Sequence, residues 1–350
     1  MAKAESKDAI FEISGIEIKR GDNKMIALPV SQFYTNTPVS IPVHVICGKK
    51  DGPRLFVSAA IHGDEINGVE IIRRLLKKSS LKRLRGTLIA IPVVNVHGFV
   101  QQTRYLPDRR DLNRSFPGTR KGPLAARLAY VFMKEIVEKC THGIDIHTGA
   151  VHRSNLPQIR ANLEDEETAR LARAFSVPVM LNSKVRDGSL REAASELGIP
   201  MLLYEAGEAL RFDEVSIRAG LRGILKVMSE LGMIAKRSKT SRIHKKTTIA
   251  RGSSWVRSSS SGIVRTLVLL GSQVTKGQPL GIINDPFGGE ETTVLSPFEG
   301  IVIGQVNLPL VYEGDALFHI AYFGEVVKVA ENVEAFVEHI MPENVKDVME

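Results

Sequence analysis

Two side chains that commonly bind metal ions stand three residues apart in the segment IHGDE. They are His62 and Glu65, at the end of an apolar run, RLFVSAAIH, that predicts a buried strand. An imidazole nitrogen and a carboxylate are good zinc ligands, and a strand-to-helix turn can fold both onto one ion. The pair alone does not establish a metal site, because a structural histidine beside an acidic residue at a helix start has the same spacing.

A second histidine, His147, ends the next predicted strand, GIDIH. In open α/β sheets, ligands bind at the carboxyl ends of the strands, so His147 is expected near the first pair. Two histidines and a glutamate form the protein part of a catalytic zinc site. We therefore predict one zinc ion per chain, with another divalent metal as the alternative. Asp145, on the same side of the strand, either orients a ligand or makes an ordinary local hydrogen bond.

A carboxylate also ends the predicted strand MLLYE. At this place Glu205 can act as a general base and take a proton from the attacking water. Glu208 is the nearby competitor, and either acid in isolation is more typical of a helix cap or a surface charge. The recurrence of a polar residue at a third strand end favours Glu205.

The segment TRYLPDRRDLNRSFPG, at 103–118, is dense in arginine and turn-forming residues and is not expected in the core. Its arginines are Arg104, Arg109, Arg110 and Arg114. Guanidinium groups can clamp a substrate carboxylate or stabilise an oxyanion, and catalytic groups concentrate on loops. Solvated loop charge is the alternative for each arginine taken singly.

The elements that must position these residues alternate between strands and helices. Buried strands are predicted at 54–62, 86–95, 143–147 and 199–207, and helices at 124–138, 163–175, 189–198 and 212–234. This alternation predicts an α/β fold with a mixed, mostly parallel sheet flanked by helices.

A change of character follows this region. A basic, polar segment at 236–246 predicts a linker, and short apolar runs between turn residues at 247–323 predict a small all-β, barrel-like module. We expect a catalytic domain at 1–238, including N-terminal strands, followed by the linker and β module at 239–350.

Composition narrows the function classes. The chain has 350 residues, 43% of them hydrophobic, and a net charge of +8. We attribute this charge to solvated surface and linker rather than to a nucleic-acid interface, with a basic mouth for an anionic substrate as an alternative.

Neither cysteine usage nor hydropathy suggests export. Cys47 and Cys140 cannot build a disulfide framework, and we expect both to be buried thiols. The first residues lack an apolar stretch of signal-peptide length, and no run is long enough to span a membrane. We expect a cytoplasmic protein that binds neither nucleic acid nor membranes, and the sequence leaves room for a homo-oligomer.

Four motifs together resemble a known family. HGDE, DLNRSFPG, DIHTG and YEAG occur in this order, and over about residues 50–235 they resemble the succinylglutamate desuccinylase and aspartoacylase family, which is zinc carboxypeptidase-like. The resemblance implies that His62, Glu65 and His147 bind zinc. It also implies that Glu205 is the general base.

Further roles follow from the same resemblance. Asn113 and Arg114 would grip a substrate carboxylate, and Arg104 and Arg109 are both candidates for polarising the scissile carbonyl. Arg160, in NLPQIRAN, would make a second carboxylate contact from a substrate-side loop.

The β module has its own resemblance, to a biotinyl or lipoyl carrier barrel. The expected hairpin tip at 284–289 lacks the lysine that a carrier needs. We therefore expect the module to pack beside the active site instead.

Three functions remain in competition. The first is a zinc-dependent hydrolase that cleaves an amide bond of a small carboxylate-bearing substrate, as an N-acyl amino acid deacylase does. The second is a metallocarboxypeptidase acting on a peptide or a glutamate tail, for which an open groove rather than a narrowed cleft is expected. The third is an inactive binding protein with the same fold, which the presence of all three ligands and the base disfavours.

Overall fold

The computed structural model describes residues 9–150, 152–183, 186–236, 247–289 and 291–340. Except for Lys236, the predicted linker at 236–246 lies outside these residues. The strands of the first part of the chain are β1 (Ala9–Ile13), β2 (Ile16–Lys19), β3 (Asn23–Gln32), β4 (Pro38–Cys47), β5 (Lys50–Ala59), β6 (Arg85–Ile91), β7 (His142–Gly149), β8 (Arg153–Ala161), β9 (Val179–Asn182) and β10 (Met201–Glu208).

The later strands are β11 (Thr248–Ala250), β12 (Gly252–Arg257), β13 (Gly262–Thr266), β14 (Gln273–Val274), β15 (Pro279–Asn284), β16 (Glu291–Leu295), β17 (Gly300–Val306), β18 (Leu310–Val311) and β19 (Ala316–Tyr322). The helices are α1 (Asn67–Leu76), α2 (Val96–Gln101), α3 (Leu124–Glu135), α4 (Glu166–Phe175), α5 (Leu190–Glu196), α6 (Glu214–Glu230) and α7 (Val326–Ile340). Short 3-10 turns cover Ser79–Arg83, Leu112–Arg114 and Val137–Lys139.

One large mixed sheet forms the centre of the molecule, in the order β3-β4-β6-β5-β7-β10-β8-β17-β19-β12. Strands β6, β5, β7 and β10 run parallel to one another, and their apolar residues are buried on both faces. The flanking pairs β3-β4, β4-β6 and β10-β8 are antiparallel. The predicted mixed α/β sheet flanked by helices is thus confirmed, with its parallel strands at the centre.

Helices cover both faces of this sheet. Leu128 and Phe132 of α3 pack in one apolar cluster with Ala193 of α5. On the other face, Ile72 of α1 and Ile224 of α6 share a second cluster with residues of α4. The predicted buried thiols, Cys47 and Cys140, are buried and free. No helix in the described ranges is long and apolar enough to cross a membrane.

Strands from the C-terminal segment continue the large mixed sheet. Strand β17 pairs with β8 and with β19, and β19 pairs with β12, all antiparallel. Strands β16, β15, β13 and β18 form a separate four-stranded sheet. Because β8 and β17 are hydrogen-bonded neighbours, the C-terminal segment is fixed directly against the strands that carry the candidate site.

Two local expectations were wrong. Residues 155–161 of NLPQIRAN belong to strand β8, so Arg160 does not come from the loop that the family resemblance implied. A proline inside a sheet is rare, so Pro157 weakens the strand signal of this segment. The arginine-rich segment at 103–118 is not wholly outside the core, since Leu106, Leu112 and Phe116 are buried. Its apolar residues fix the loop while its arginines reach the surface and the site.

Candidate metal centre and active site

The turn after β5 brings His62 and Glu65 together. The backbone N–H of Glu65 donates to the carbonyl of His62 at 3.1 Å, which closes the turn before α1. Glycine is required inside it: a Cβ on Gly63 would lie 1.9 Å from the carbonyl carbon of Gly98. The close approach of α2 therefore explains why a glycine follows the first histidine.

His147 of β7 completes a cluster around the Glu65 carboxylate. His62 Nδ1 lies 2.7 Å from Glu65 Oε1, and His147 Nδ1 lies 2.9 Å from Glu65 Oε2. The backbone N–H of Thr148 also donates to Oε2, at 3.0 Å. The three side chains are buried, and their ligand atoms all lie within 4.8 Å of one another. They are close enough to bind one ion.

The second nitrogen of each histidine contacts an aspartate. His62 Nε2 lies 3.1 Å from Asp111 Oδ1, and His147 Nε2 lies 2.6 Å from Asp145 Oδ2. Metal-binding histidines usually donate their other N–H to a carboxylate, which leaves the facing nitrogen as the ligand. Two Nδ1 lone pairs would then face the Glu65 carboxylate, an arrangement that needs a cation between them. The donor set therefore fits a divalent metal, and Asp145 makes the contact that its predicted orienting role requires.

The electrostatics agree with a cation at this place. Burial raises the pKa of Glu65, but the two histidines outweigh burial and hold that pKa well below its usual value. Burial lowers the pKa of His147, yet Asp145 and Glu65 outweigh it and raise that pKa well above its usual value. Glu65, Asp111 and Asp145 thus favour positive charge on the two imidazoles, and either a proton or a metal ion can supply that charge.

Glu205 lies on the strand next to His147 and on the same face of the sheet. The two residues are register partners in the parallel pair β10-β7. The Glu205 carboxylate accepts a hydrogen bond from Asn155 Nδ2 at 2.5 Å, and Arg160 Nε lies 3.5 Å from its other oxygen. This carboxylate also faces the cavity that the metal ligands line.

A cavity of about 290 Å³ joins these groups. Guanidinium groups dominate its charged lining. The six arginines in its wall are Arg104, Arg114, Arg153, Arg160, Arg186 and Arg191, against the two acids Glu65 and Glu205. Such a wall favours an anionic ligand.

The arginines predicted near the DLNR motif separate in the structure. Arg104 lines the cavity, donates to Asp111 Oδ2 at 2.8 Å and lies 3.4 Å from Glu65 Oε1. Arg109 is not among the cavity-lining residues. Asn113 and Arg114 line it, and Asn113 Oδ1 accepts from the backbone N–H of Leu190 at 2.9 Å. Its side-chain oxygen is therefore in use, and its N–H donors remain for a ligand.

The sequence did not single out several residues in this cavity. They are Arg153, Asn155, Arg186, Arg191 and Trp255. Arg191 is buried although it lies in a helix that reads as an ordinary amphipathic one. Trp255, the only tryptophan of the chain, comes from β12 in the C-terminal segment. Among these residues, only Trp255 had a sequence signal that could have marked it as functional: it is a single tryptophan in an otherwise polar strand.

The fold and the site together define an α/β protein in which a His-Glu-His cluster that could hold a metal ion lies beside a candidate carboxylate base. The family model of the succinylglutamate desuccinylase/aspartoacylase catalytic domain matches residues 51–231, and the chain belongs to this family of deacylases. The family resemblance predicted from the four motifs is confirmed.

Individual relatives cover most of the chain. An N-alpha-acetyl-L-2,4-diaminobutyric acid deacetylase of Halomonas elongata is 25% identical over 287 residues, covering 79% of this chain and 82% of that protein. A succinylglutamate desuccinylase/aspartoacylase structure from Rhodobacter sphaeroides has a TM-score of 0.77 and 25% identity, with 86% and 95% coverage of the two chains. A product-bound structure of the ectoine utilization protein EutE (DoeB) from Ruegeria pomeroyi has a TM-score of 0.79 at 24% identity, with 91% and 100% coverage.

Proposed function

We propose that this protein is a zinc-dependent amide hydrolase that removes the acyl group from a small, carboxylate-bearing N-acyl substrate. One observation carries the proposal: the buried His62, Glu65 and His147 cluster and the Glu205 carboxylate face one cavity from adjacent strands. Family membership supports the reaction class, and the Halomonas relative is named as a deacetylase.

The metal ligands would be His62, Glu65 and His147. A zinc ion held there would supply Lewis acidity to the acyl carbonyl and to the attacking water. Asp111 and Asp145 fix the two imidazole rings, so the ligand nitrogens are oriented before the ion binds. This preorganisation is the chain's own contribution to the metal chemistry.

Glu205 acts as the general base. Its carboxylate accepts a proton from the attacking water and returns it to the leaving nitrogen, which makes the amine a better leaving group. Addition of the water oxygen to the acyl carbon forms the new C–O bond. The C–N bond breaks afterwards, as the carbonyl re-forms, and gives a carboxylic acid and an amine. Arg104 lies beside the metal cluster and supplies positive charge for the acyl oxygen, a role in which we prefer it to Arg109.

The arginine-rich wall selects the substrate. Asn113 and Arg114 offer N–H donors to one carboxylate, and Arg160 adds a guanidinium beside Glu205. Trp255 and Arg153 bound the cavity from the side of the C-terminal segment, with the Arg153 guanidinium 5.6 Å from the Trp255 ring centroid. A cavity of this volume, bounded on that side, suits a small molecule better than a peptide tail.

The test is a hydrolysis panel on the metal-loaded protein. The panel contains N-acetyl and N-succinyl derivatives of acidic, neutral and basic amino acids, together with short peptides. Glu205→Ala should lower kcat by about 100- to 10,000-fold, the usual contribution of a general base. The matched control is Glu208→Ala, since Glu208 contacts Asn307 and is not among the cavity-lining residues.

Each outcome is decisive. Hydrolysis of small N-acyl acids that depends on Glu205 and on bound zinc supports the proposal. Cleavage of peptides alone would replace it by the carboxypeptidase function. A folded protein that binds no divalent metal, or a Glu205→Ala variant of normal activity, would overturn the proposed mechanism.

A further inference from the structure

The base candidate Glu205 is held by side chains from one neighbouring strand. Asn155 Nδ2 donates to Glu205 Oε2 at 2.5 Å, while Arg160 Nε lies 3.5 Å from Oε1. Both partners belong to β8, which pairs antiparallel with β10. Only 5% of Asn155 is exposed. A buried neutral donor therefore fixes one carboxylate oxygen by a short, charge-assisted hydrogen bond.

We propose that Asn155 is a positioning residue that aims Glu205 at the attacking water, and that the C-terminal segment sets its place through Gly304. The inference rests on the proposed function, because it assumes that Glu205 is the base. Asn155 lies outside the four motifs that carry the family resemblance. It acts through Glu205 and need not touch the substrate.

Gly304 is where the C-terminal segment meets Asn155. In the sheet, Gly304 of β17 is the register partner of Asn155 on one side and of His319 on the other. A Cβ at Gly304 would lie 3.0 Å from Asn155 Oδ1 and 3.1 Å from His319 Cβ. These distances are tighter than ordinary contacts, so any side chain at this position would press on the amide that holds Glu205.

On the side of Gly304 opposite Asn155, tight packing prevents the strand from moving away. The ring of His319 stacks on Trp255, with centroids 4.6 Å apart and planes 9° apart. The same Cβ at Gly304 would lie 3.5 Å from Trp255 Cη2. His319 is 5% exposed and its ring cannot move freely. Bulk at Gly304 would therefore be relieved toward Asn155 and so displace the amide from the base.

A second asparagine provides a matched control. Asn307 Nδ2 donates to Glu208 Oε2 at 2.8 Å, so it makes the same amide-to-carboxylate contact on the same strand β10. Asn307 is exposed, and neither it nor Glu208 is among the cavity-lining residues. The two pairs share the amide-to-carboxylate contact and differ in burial and in position relative to the cavity.

The experiment measures kcat and KM separately for Asn155→Ala, Asn155→Asp, Gly304→Ala and Asn307→Asp in the zinc-loaded full-length chain. Loss of a hydrogen bond to a charged group should lower kcat by about 10- to 100-fold in Asn155→Ala, with KM changed less than about threefold. Asn155→Asp keeps the shape but replaces the donor by a second carboxylate oxygen, so its kcat should fall at least as far. Gly304→Ala should lower kcat in the same way, and Asn307→Asp should leave it unchanged.

Two readouts separate positioning from folding or metal loss. Bound zinc per chain and the thermal unfolding midpoint are measured for every variant, and Asn155→Ser, which keeps a donor, should recover part of the lost kcat. If Asn155→Asp does not fold, the comparison of kcat between Asn155→Ser and Asn155→Ala tests the inference.

Near-normal kcat in Asn155→Asp would overturn the inference, as would a KM increase without a kcat loss, which marks a substrate contact. Normal kcat in Gly304→Ala would overturn the part assigned to the C-terminal segment. Failure of the proposed function is recognised separately, because Glu205→Ala would then retain activity whatever Asn155 variants do.

Discussion

The cavity has two parts with opposite charge patterns, which we call the metal half and the arginine half. In the metal half, the chain matches its own charges: Glu65 lies between two histidines, and each histidine contacts an aspartate. The arginine half contains Glu205 and a lining rich in positive charge, from Arg114, Arg153, Arg160, Arg186 and Arg191. Burial, and then repulsion from Arg160, lowers the pKa of Arg191 to about 10. Under the proposed function, a metal ion completes the first half and an anionic substrate completes the second.

The largest effect is expected in the metal half. His147→Ala should abolish stoichiometric zinc binding and lower kcat/KM by roughly 1,000-fold or more, because metal activation contributes several kcal/mol. Metal analysis of the purified protein and the hydrolysis assay measure the two effects.

The matched control for this change is His142→Ala. His142 lies on the same strand β7 but contacts Glu167, at 3.3 Å, and is not among the cavity-lining residues. It should keep both zinc and activity. If the His147→Ala variant retains zinc, the metal binds elsewhere, and the metal half does not have the role assigned to it.

Substitutions in the arginine half should mainly raise KM for the substrate. Arg114→Ala removes a guanidinium from the cavity, and we expect KM for a carboxylate-bearing substrate to rise about 10- to 100-fold, the value of one hydrogen bond to a charged group. Zinc content should not change. Steady-state kinetics on the best substrate of the panel measure this effect.

Arg110→Ala is the corresponding control. Arg110 comes from the same loop, but its side chain is 59% exposed and it is not among the cavity-lining residues. Equal KM values for the Arg110→Ala and Arg114→Ala variants would mean that the loop acts by general attraction and not by a specific contact.

The two halves also differ in how far the sequence predicts them. The clustering of His62, Glu65 and His147 was predictable because these residues stand at or just after the ends of strongly apolar strands, in short motifs whose residue types suit zinc. Asn155 and Arg153 were not, because neither lies in one of the four motifs and Pro157 weakens the strand signal of their segment. Trp255 lies on β12, which is joined to β8 through β19 and β17, strands far apart from β8 in the chain. Periodicity predicts which segments are strands, but it does not say which distant strands become neighbours.

A smaller effect is expected from the residue behind His147. Ser58 Oγ donates to Asp145 Oδ1 at 2.7 Å, and Asp145 in turn holds His147. Ser58→Ala should weaken zinc binding about tenfold, the low end for the partners that orient metal ligands. Competition with a zinc chelator of known affinity measures the change.

Ser216→Ala is the matched control, since this buried serine donates to Asp213 Oδ2 at 2.9 Å and is not among the cavity-lining residues. It should lose stability without losing zinc affinity. An unchanged zinc affinity in Ser58→Ala would show that Asp145 holds its ring unaided.

The smallest effect follows from the opposite pKa shifts of histidines in the two halves. In the metal half, neighbouring acids raise the pKa of His147. Beside the arginine half, burial and then Arg160 and Arg186 lower the pKa of His319 to about 3. Above pH 6.5, His319 is neutral in both the folded and the unfolded chain. As pH falls below 6.5, only the unfolded chain binds a proton, so the folded state loses stability.

Replacing this ring by a neutral one should remove that loss. His319→Phe keeps an aromatic stack on Trp255, so the decrease in unfolding free energy between pH 7.5 and 5.5 should shrink by about 1 kcal/mol relative to the parent. Denaturant unfolding at the two pH values measures the difference, and shifts at other histidines cancel in the comparison. His152→Phe, at a side chain that is 60% exposed, is the control. Parallel pH profiles for the parent and His319→Phe would mean that His319 is already protonated in the folded protein, and the arginine half would then tolerate a further cation instead of requiring an anion.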